Sequence, residues 1–153
     1  MFIIIGAGAI GGTIGAYMLR GGEEVLFVEQ DQAHVAAINQ NGLSINGYAE
    51  SFTVPARAIT PDQLPTAFAP GSLRRVILAT KAQATHSATE MIRPYLAPDG
   101  YILSAQNGLN ELSIQALVGA QRTIGRQHGL TCRQRVLVEL GGAQIPVHRL
   151  EIL

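Results

Sequence analysis

The sequence predicts an α/β fold in which helices cover both faces of a doubly wound, mostly parallel sheet. Runs of consecutive apolar residues, such as Phe2–Ile5 and Val25–Val28, are typical of strands that are buried on both faces. Segments with apolar residues at helical spacing separate these runs, and this alternation forms βαβ units with right-handed crossovers. The chain has 153 residues, of which 47% are hydrophobic and 14% are charged, which suits a buried sheet and argues against disorder.

Each element of the first half has a local signal. Apolar spacing predicts the helices, Gly21-Gly22 ends the first of them, and the Asp31 side chain caps the second. Asn46-Gly47 is a strong hairpin turn between two alternating segments. The predicted elements are a strand at 2–5, a helix at 9–20, a strand at 25–28, a helix from 31 to about 39, and a short antiparallel hairpin of 43–45 with 52–54.

The second half continues the same alternation. Four Pro or Gly residues make 60–74 a loop with at most one helical turn, and Pro94 and Pro98 close a later connection. The predicted elements are a strand at 76–79, a helix at 84–93, a strand at 101–104, a helix at about 110–118 and a strand that begins at 122.

The domain with this pattern spans residues 1–125, and residues 126–153 form an atypical tail. Arg and His residues concentrate in that tail, and two apolar runs, 136–138 and 145–147, flank Gly141-Gly142. The two runs would either pair as strands or be loosely ordered.

The most informative motif is the G-x-G-x-x-G that directly follows the first strand. Gly6 allows the tight turn, Gly8 lets the backbone approach a pyrophosphate, and Gly11 lets the helix pack closely on the strand. The helix N-terminus offers unpaired N–H groups and a positive dipole end to phosphates. The motif predicts a Rossmann-like dinucleotide site, whose contacts we assign to Gly6, Ala7, Gly8, Ala9, Ile10 and Gly11. The alternative is a glycine-rich turn without a ligand.

Glu29 closes the second strand, where an acidic residue would reach the adenosine ribose. A carboxylate there accepts hydrogen bonds from the ribose hydroxyls and repels a 2′-phosphate. Gln30 follows, where an Arg would clamp a 2′-phosphate, and Gln lacks that charge. The pair favours NAD(H), and the alternative is a polar strand end that faces water.

Lys81 and Asn107 follow two further strands, at the carboxyl edge where ligands of open α/β sheets bind. An ammonium group there can contact a carboxylate or the nicotinamide ribose. The Asn107 amide can fix a ribose or substrate hydroxyl. The alternatives are a solvated surface lysine and an ordinary Asn-Gly turn.

Several classes of function are disfavoured. Eleven basic and eleven acidic residues cancel, and no basic stripe indicates nucleic acid. No apolar run is long enough for a bilayer, and the single Cys132 fits a reducing cytoplasm. His34 and His86 lack partners at metal-ligand spacing, so we expect no metal site.

Three segments in this order carry a family resemblance: 6–12 (GAGAIGG), 78–82 (LATKA) and 104–111 (SAQNGLNE). Over about residues 1–125 the chain resembles the ketopantoate reductase (2-dehydropantoate 2-reductase) family. The resemblance implies a Rossmann domain that binds NADPH and delivers hydride to a 2-keto acid such as 2-dehydropantoate, forming pantoate. It also implies that Lys81 lies on the cofactor side and Asn107 between nicotinamide and substrate. Family members often have Arg at the position of Gln30. The resemblance therefore favours NADPH, whereas Glu29 and Gln30 favour NADH.

The family has a second, helical domain that supplies a general-acid lysine and a substrate-binding glutamate. The given sequence ends before such a domain, so we assign no catalytic residue and expect little or no turnover. Alternatives are the domain of another hydroxyacid or opine dehydrogenase, or a non-catalytic dinucleotide-binding module. An exposed sheet edge or uncovered domain face would favour a homodimer.

The tail also suggests a disrupted gene. Residues 126–129 read Arg-Gln-His-Gly, where the family usually continues with a segment like Val-Asn-Met/Phe-Gly. Codons for Arg, Gln and His of the type CGN-CAR-CAY, followed by GGN and read one base later, can encode Val-Asn-Met. Sequencing the coding DNA tests this hypothesis, which fails if the shifted frame encodes no helical domain.

Overall fold

A computed structural model describes residues 1–46 and 50–125 of the chain. Its main sheet has six strands in the order β5-β2-β1-β6-β7-β8, and every neighbouring pair is parallel. The predicted α/β fold with a mostly parallel sheet is therefore confirmed. The strands are β1 Phe2–Ile5, β2 Val25–Val28, β3 Leu43–Asn46, β4 Ser51–Val54, β5 Arg57–Ile59, β6 Leu73–Leu78, β7 Leu96–Ser104 and β8 Thr123–Ile124.

The helices cover both faces of this sheet. Asp31 caps α2 as predicted, because its Oδ1 accepts hydrogen bonds from the N–H groups of Ala33 at 2.9 Å and His34 at 3.2 Å. The helices are α1 Ala9–Arg20, α2 Gln32–Asn41, α3 Leu64–Ala67, α4 Thr85–Ile92 and α5 Asn110–Val118. None of the helices in the described part has the length and apolar character to cross a membrane.

The core has two parts because β1 and β2 alternate their side chains between the two faces. Ile3 and Ile5 pack on the face covered by α3, α4 and α5, and Ile4 and Phe27 pack on the face covered by α1 and α2. The strands are thus buried on both sides, as their continuous apolar runs indicate.

The predicted hairpin is present as β3 and β4, which pair antiparallel with Ile45 opposite Phe52. Its predicted turn at Asn46-Gly47 extends beyond the described residues, as does the predicted pairing in the tail. The hairpin packs on α1, where the Arg20 guanidinium lies 4.6 Å from the centre of the Phe52 ring. Glu50, which directly precedes β4, also contacts α1: its carboxylate accepts hydrogen bonds from the Tyr17 hydroxyl at 2.8 Å and the Arg20 guanidinium at 2.7 Å.

Strand β5 was not predicted. It lies at the edge of the sheet beside β2, and the outward N–H and C=O groups of Ala58 both bond to the Asn39 side chain at 2.8 Å. The amide of Asn39 therefore replaces a further strand and closes this edge.

Several predicted boundaries were wrong. The expected loop 60–74 contains a 3-10 turn, Pro61–Gln63, that leads directly into α3, and β6 begins already at Leu73. Strand β6 ends at Leu78 and not at 79. Strand β7 begins at Leu96 and includes Pro98, whereas the sequence predicts Pro98 in the connection before the strand. The pairing of Leu73 with Leu96 extends both β6 and β7 beyond their most apolar residues.

Candidate cofactor-binding site

The glycine turn joins β1 to α1 at the carboxyl edge of the sheet. Gly6 has φ +95°, which L side chains rarely adopt, and its N–H donates to the Val28 carbonyl at 2.9 Å. A Cβ on Gly11 would lie 2.0 Å from the Gly6 carbonyl oxygen, so the helix can start this close only without a side chain. Both glycines therefore shape the turn in the way that the motif predicts.

The first turn of α1 is open to an anion. Its N-cap, Gly8, has no side chain to accept the free N–H groups, and the turn contains no acidic residue. A Cβ built on Gly8 would meet no atom within 4 Å, so space remains beside the backbone. Ala9 and Ile10 are exposed in the same turn, and Ala7 is buried beneath it.

The Glu29 carboxylate is held by backbone amides. Its Oε2 accepts a hydrogen bond from the Ala7 N–H at 2.8 Å, which links the end of β2 to the glycine turn. Its Oε1 accepts from the N–H groups of Gln30 at 2.8 Å and Asp31 at 3.2 Å. The carboxylate therefore has a defined position between the two segments.

A groove of about 490 Å³ runs along this edge of the sheet. It brings together five residues that the sequence analysis assigned separately. Pro61 lines one part of the groove, and Ala84 and Met91 line another. The five assigned residues in its lining are Gly6, Gly8, Glu29, Gln30 and Lys81.

Lys81 and Asn107 are both exposed beyond the ends of β6 and β7. The Lys81 carbonyl accepts a hydrogen bond from Ala84 at 2.9 Å, and the Asn107 carbonyl accepts from the Asn110 side chain at 2.7 Å. Within residues 1–46 and 50–125, neither the Lys81 ammonium nor the Asn107 amide has a hydrogen-bond partner. Unlike Lys81, Asn107 does not line the groove.

Gln106 is the site residue to which sequence analysis assigned no role. Its side chain contacts groups beyond the ends of β6 and β7, including the Thr80 carbonyl at 2.8 Å and the Thr85 hydroxyl at 2.9 Å. The available signal was its place two positions after the end of a buried strand, next to Asn107.

No group of three metal-ligating side chains occurs in the part of the chain that the structure describes. His86 lies on α4 with its Nε2 3.6 Å from a Glu90 carboxylate oxygen, and His34 is on α2. Cys132 lies outside the described residues.

Comparison with known proteins gives a consistent result. The family model of ketopantoate reductase PanE/ApbA matches residues 2–133. A 2-dehydropantoate 2-reductase of Pyrococcus horikoshii is 34% identical over 140 residues, which are 90% of this chain and 42% of that protein. A second one, from Pyrococcus abyssi, is 36% identical over 107 residues, which are 69% of this chain and 32% of that protein. The chain thus spans less than half the length of these curated relatives.

Solved structures agree. The crystal structure of 2-dehydropantoate 2-reductase from Geobacter metallireducens has a TM-score of 0.68 at 35% identity, covering 82% of this chain and 40% of that one. A D-mandelate dehydrogenase, solved with NADH and anilino(oxo)acetate, has a TM-score of 0.69 at 26% identity, covering 80% of this chain and 39% of that one.

Proposed function

Because the chain belongs to the ketopantoate reductase family, we propose that residues 1–125 bind a nicotinamide dinucleotide for the reduction of a 2-keto acid. The observation that carries this proposal is the groove at the carboxyl edge, which joins the glycine turn to Glu29, Gln30 and Lys81. Ligands of open α/β sheets bind at this edge. When bound, the reduced nicotinamide supplies the hydride.

The diphosphate of the dinucleotide would lie against the first turn of α1. The free N–H groups there and the positive helix end attract an anion, and no acidic side chain in that turn competes for them. The open space at Gly8 lets the phosphates approach the backbone. We assign the phosphate contact to the backbone of Gly8, Ala9, Ile10 and Gly11. Gly6 and Ala7 shape the turn beside the phosphates, because their N–H groups already donate to the Val28 carbonyl and the Glu29 carboxylate.

We further propose that NAD(H) is preferred to NADP(H). The Glu29 carboxylate is fixed on three backbone N–H groups, and Oε2 accepts only one of those hydrogen bonds. A carboxylate oxygen has capacity for a second donor, such as a ribose hydroxyl. A 2′-phosphate would meet this negative charge and the neutral Gln30 instead.

Lys81 and Asn107 are the residues proposed for the nicotinamide and substrate side. Both side chains are free of hydrogen bonds within the described residues, so they can bind a ribose hydroxyl or the carboxylate of a keto acid. Reduction also needs a proton donor for the developing alkoxide. None of the described residues is assigned that role, so we expect residues 1–125 alone to bind the cofactor with little or no turnover.

A binding titration and an activity assay test this function. Isothermal calorimetry with NADH and NADPH should show binding of both, with NADH the tighter ligand. An assay with 2-dehydropantoate and NADH should show little or no oxidation of NADH. If neither dinucleotide gives heat of binding, and circular dichroism shows that the chain is folded, cofactor binding is refuted. Rapid oxidation of NADH would refute the proposal that the chain binds the cofactor without catalysing the reduction.

A second candidate substrate class is favoured by one comparison. The D-mandelate dehydrogenase with TM-score 0.69 was solved with NADH, the cofactor that Glu29 favours here. The same groove would then bind NADH for the reduction of a 2-keto acid other than 2-dehydropantoate. Calorimetric titration of the NADH-loaded chain with 2-dehydropantoate and with a panel of other 2-keto acids distinguishes the two.

Self-association is also proposed, but through a helix surface and not through the β5 edge. Asn39 closes that edge. At the start of α5, the N-cap Leu109 and the helix residue Leu112 are 63% and 62% exposed. Light scattering should show a dimer in the wild type and a monomer in Leu109→Ser/Leu112→Ser. A monomeric wild type at all concentrations would contradict this proposal.

A further inference from the structure

Among the described residues, the Gln106 amide forms more hydrogen-bond contacts than any other side chain at the carboxyl edge. Its Nε2 lies 2.8 Å from the Thr80 carbonyl oxygen, 3.1 Å from the Thr80 hydroxyl and 2.9 Å from the Thr85 hydroxyl. Its Oε1 lies 3.1 Å from the Thr85 hydroxyl and 3.4 Å from that of Ser104. A carbonyl oxygen only accepts, so the Thr80 contact determines which end of the amide carries the nitrogen.

These contacts join three segments. Thr80 follows β6, Ser104 ends β7, and Thr85 begins α4, where it is only 2% exposed. One side chain thus ties together two strand ends and the start of a helix. Such partly buried networks hold their members in place because each unsatisfied group would cost free energy.

Lys81 and Asn107 are directly attached to this network. The Lys81 carbonyl lies 3.4 Å from the Gln106 Nε2, and Asn107 is the next residue after Gln106. The Gly108 backbone beyond it has φ +100°. The separation between the Lys81 and Asn107 backbones therefore depends on the hydrogen bonds of Gln106.

We propose that Gln106 is a positioning residue that sets the distance between Lys81 and Asn107 on the nicotinamide side of the cofactor. This inference rests on the proposed dinucleotide binding. The adenosine side is held by other groups, namely the glycine turn and the Glu29 carboxylate, whose hydrogen bonds to the described residues do not involve Gln106. Loss of Gln106 should therefore weaken contacts to the nicotinamide half and leave those to the ADP-ribose half unchanged.

The test compares NADH with ADP-ribose as ligands of the full 153-residue chain. In Gln106→Leu the Kd for NADH should rise by roughly tenfold, the change expected from one or two lost net hydrogen bonds. The Kd for ADP-ribose should stay within about twofold of the wild-type value, and the enhancement of NADH fluorescence on binding should decrease. Gln83→Ala is the matched control, because Gln83 is exposed in the turn after β6 and has no hydrogen bond from its side chain to the described residues.

Thr85→Val provides an independent variant if Gln106→Leu does not fold. It removes the hydroxyl that contacts both ends of the Gln106 amide and keeps the side-chain shape. We expect the same selective loss of NADH affinity, at a smaller magnitude. Unchanged affinity for both ligands, or a parallel loss for both, would overturn the positioning role. If the wild type bound neither NADH nor ADP-ribose, the proposed function itself would fail, which is a distinguishable result.

Discussion

Substitution of Gly11 by Ala should separate the structural role of the glycine turn from its role in ligand binding. The new Cβ would lie 2.0 Å from the Gly6 carbonyl oxygen and 3.0 Å from the Ala79 Cβ. The first of these atoms belongs to the backbone of a strand-to-helix turn, so α1 must move away from β1.

The magnitude follows from two opposing effects. Overpacking of this kind costs about 1–3 kcal/mol, whereas Ala in place of Gly in a helix gains about 0.5–1 kcal/mol. Because the clashing oxygen belongs to the backbone and cannot rotate away, the overpacking cost lies in the upper part of its range, about 2–3 kcal/mol, and the net loss in free energy of unfolding is about 1–2.5 kcal/mol. For a domain of this size the melting temperature should fall by roughly 3–8 °C. Movement of the helix start should also weaken NADH binding by tenfold or more, on the order of one lost charge-assisted hydrogen bond.

Gly8→Ala is the matched variant. A Cβ at Gly8 meets no protein atom within 4 Å, and its φ of −69° is compatible with Ala. We expect a smaller fall in melting temperature than in Gly11→Ala, because Ala is only a poorer N-cap than Gly and meets no clash. NADH binding should weaken, because the methyl group occupies space beside the diphosphate. Gly21→Ala, at the far end of α1, should change neither property.

Thermal denaturation monitored by circular dichroism and a fluorescence titration with NADH measure both properties. A Gly11→Ala protein as stable as the wild type would refute the argument from packing. A Gly8→Ala protein with wild-type affinity would refute the placement of the diphosphate.

Three further predictions concern Gln30, Glu50 and Asn39. Gln30→Arg places a guanidinium in the groove and should tighten NADPH binding by roughly tenfold, leaving NADH within about twofold, in parallel calorimetric titrations. The Arg20 guanidinium, and then the Tyr17 hydroxyl, hydrogen-bond to Glu50 and lower the pKa of that carboxyl. The stabilisation by this contact should therefore be complete above the ordinary pKa of Glu and be lost as the pH falls through the lowered pKa of Glu50. In Glu50→Gln, the fall in melting temperature over this acidic range should be smaller than in the wild type. Asn39→Ala leaves the Ala58 N–H and C=O unpaired at the sheet edge and should lower the free energy of unfolding by about 1–3 kcal/mol in urea denaturation, with Gln40→Ala on the same helix as a neutral control. A stable Asn39→Ala protein that remains unaggregated would contradict the role given to this amide.

The elements with strong local patterns could be predicted from the sequence. The apolar runs Phe2–Ile5 and Val25–Val28 indicated buried strands, and Asp31 indicated a helix start. The G-x-G-x-x-G motif between strand and helix indicated the turn at Gly6, whose φ is +95°. In each case the residues that determine the conformation are near neighbours in the chain.

Strand β5 and the longer β7 could not be predicted in the same way. Arg57–Ile59 has three residues with one buried, which is too short for a recognisable pattern. It is a strand because β2 pairs with it on one side and Asn39, nineteen positions away in sequence, bonds to the other. Likewise, β7 begins at Leu96 because Leu73 of β6 lies beside it.

The sequence by itself therefore determined the type of fold, the glycine turn and five residues of the groove lining, because spacing of apolar residues and glycines acts over a few positions. Only the tertiary structure decided which of these residues meet. The hydrogen bond from Ala7 to Glu29 spans 22 positions and that from Gln106 to Thr80 spans 26. Such contacts depend on which strands become neighbours in the sheet, and the order of parallel strands is set by packing of the whole domain.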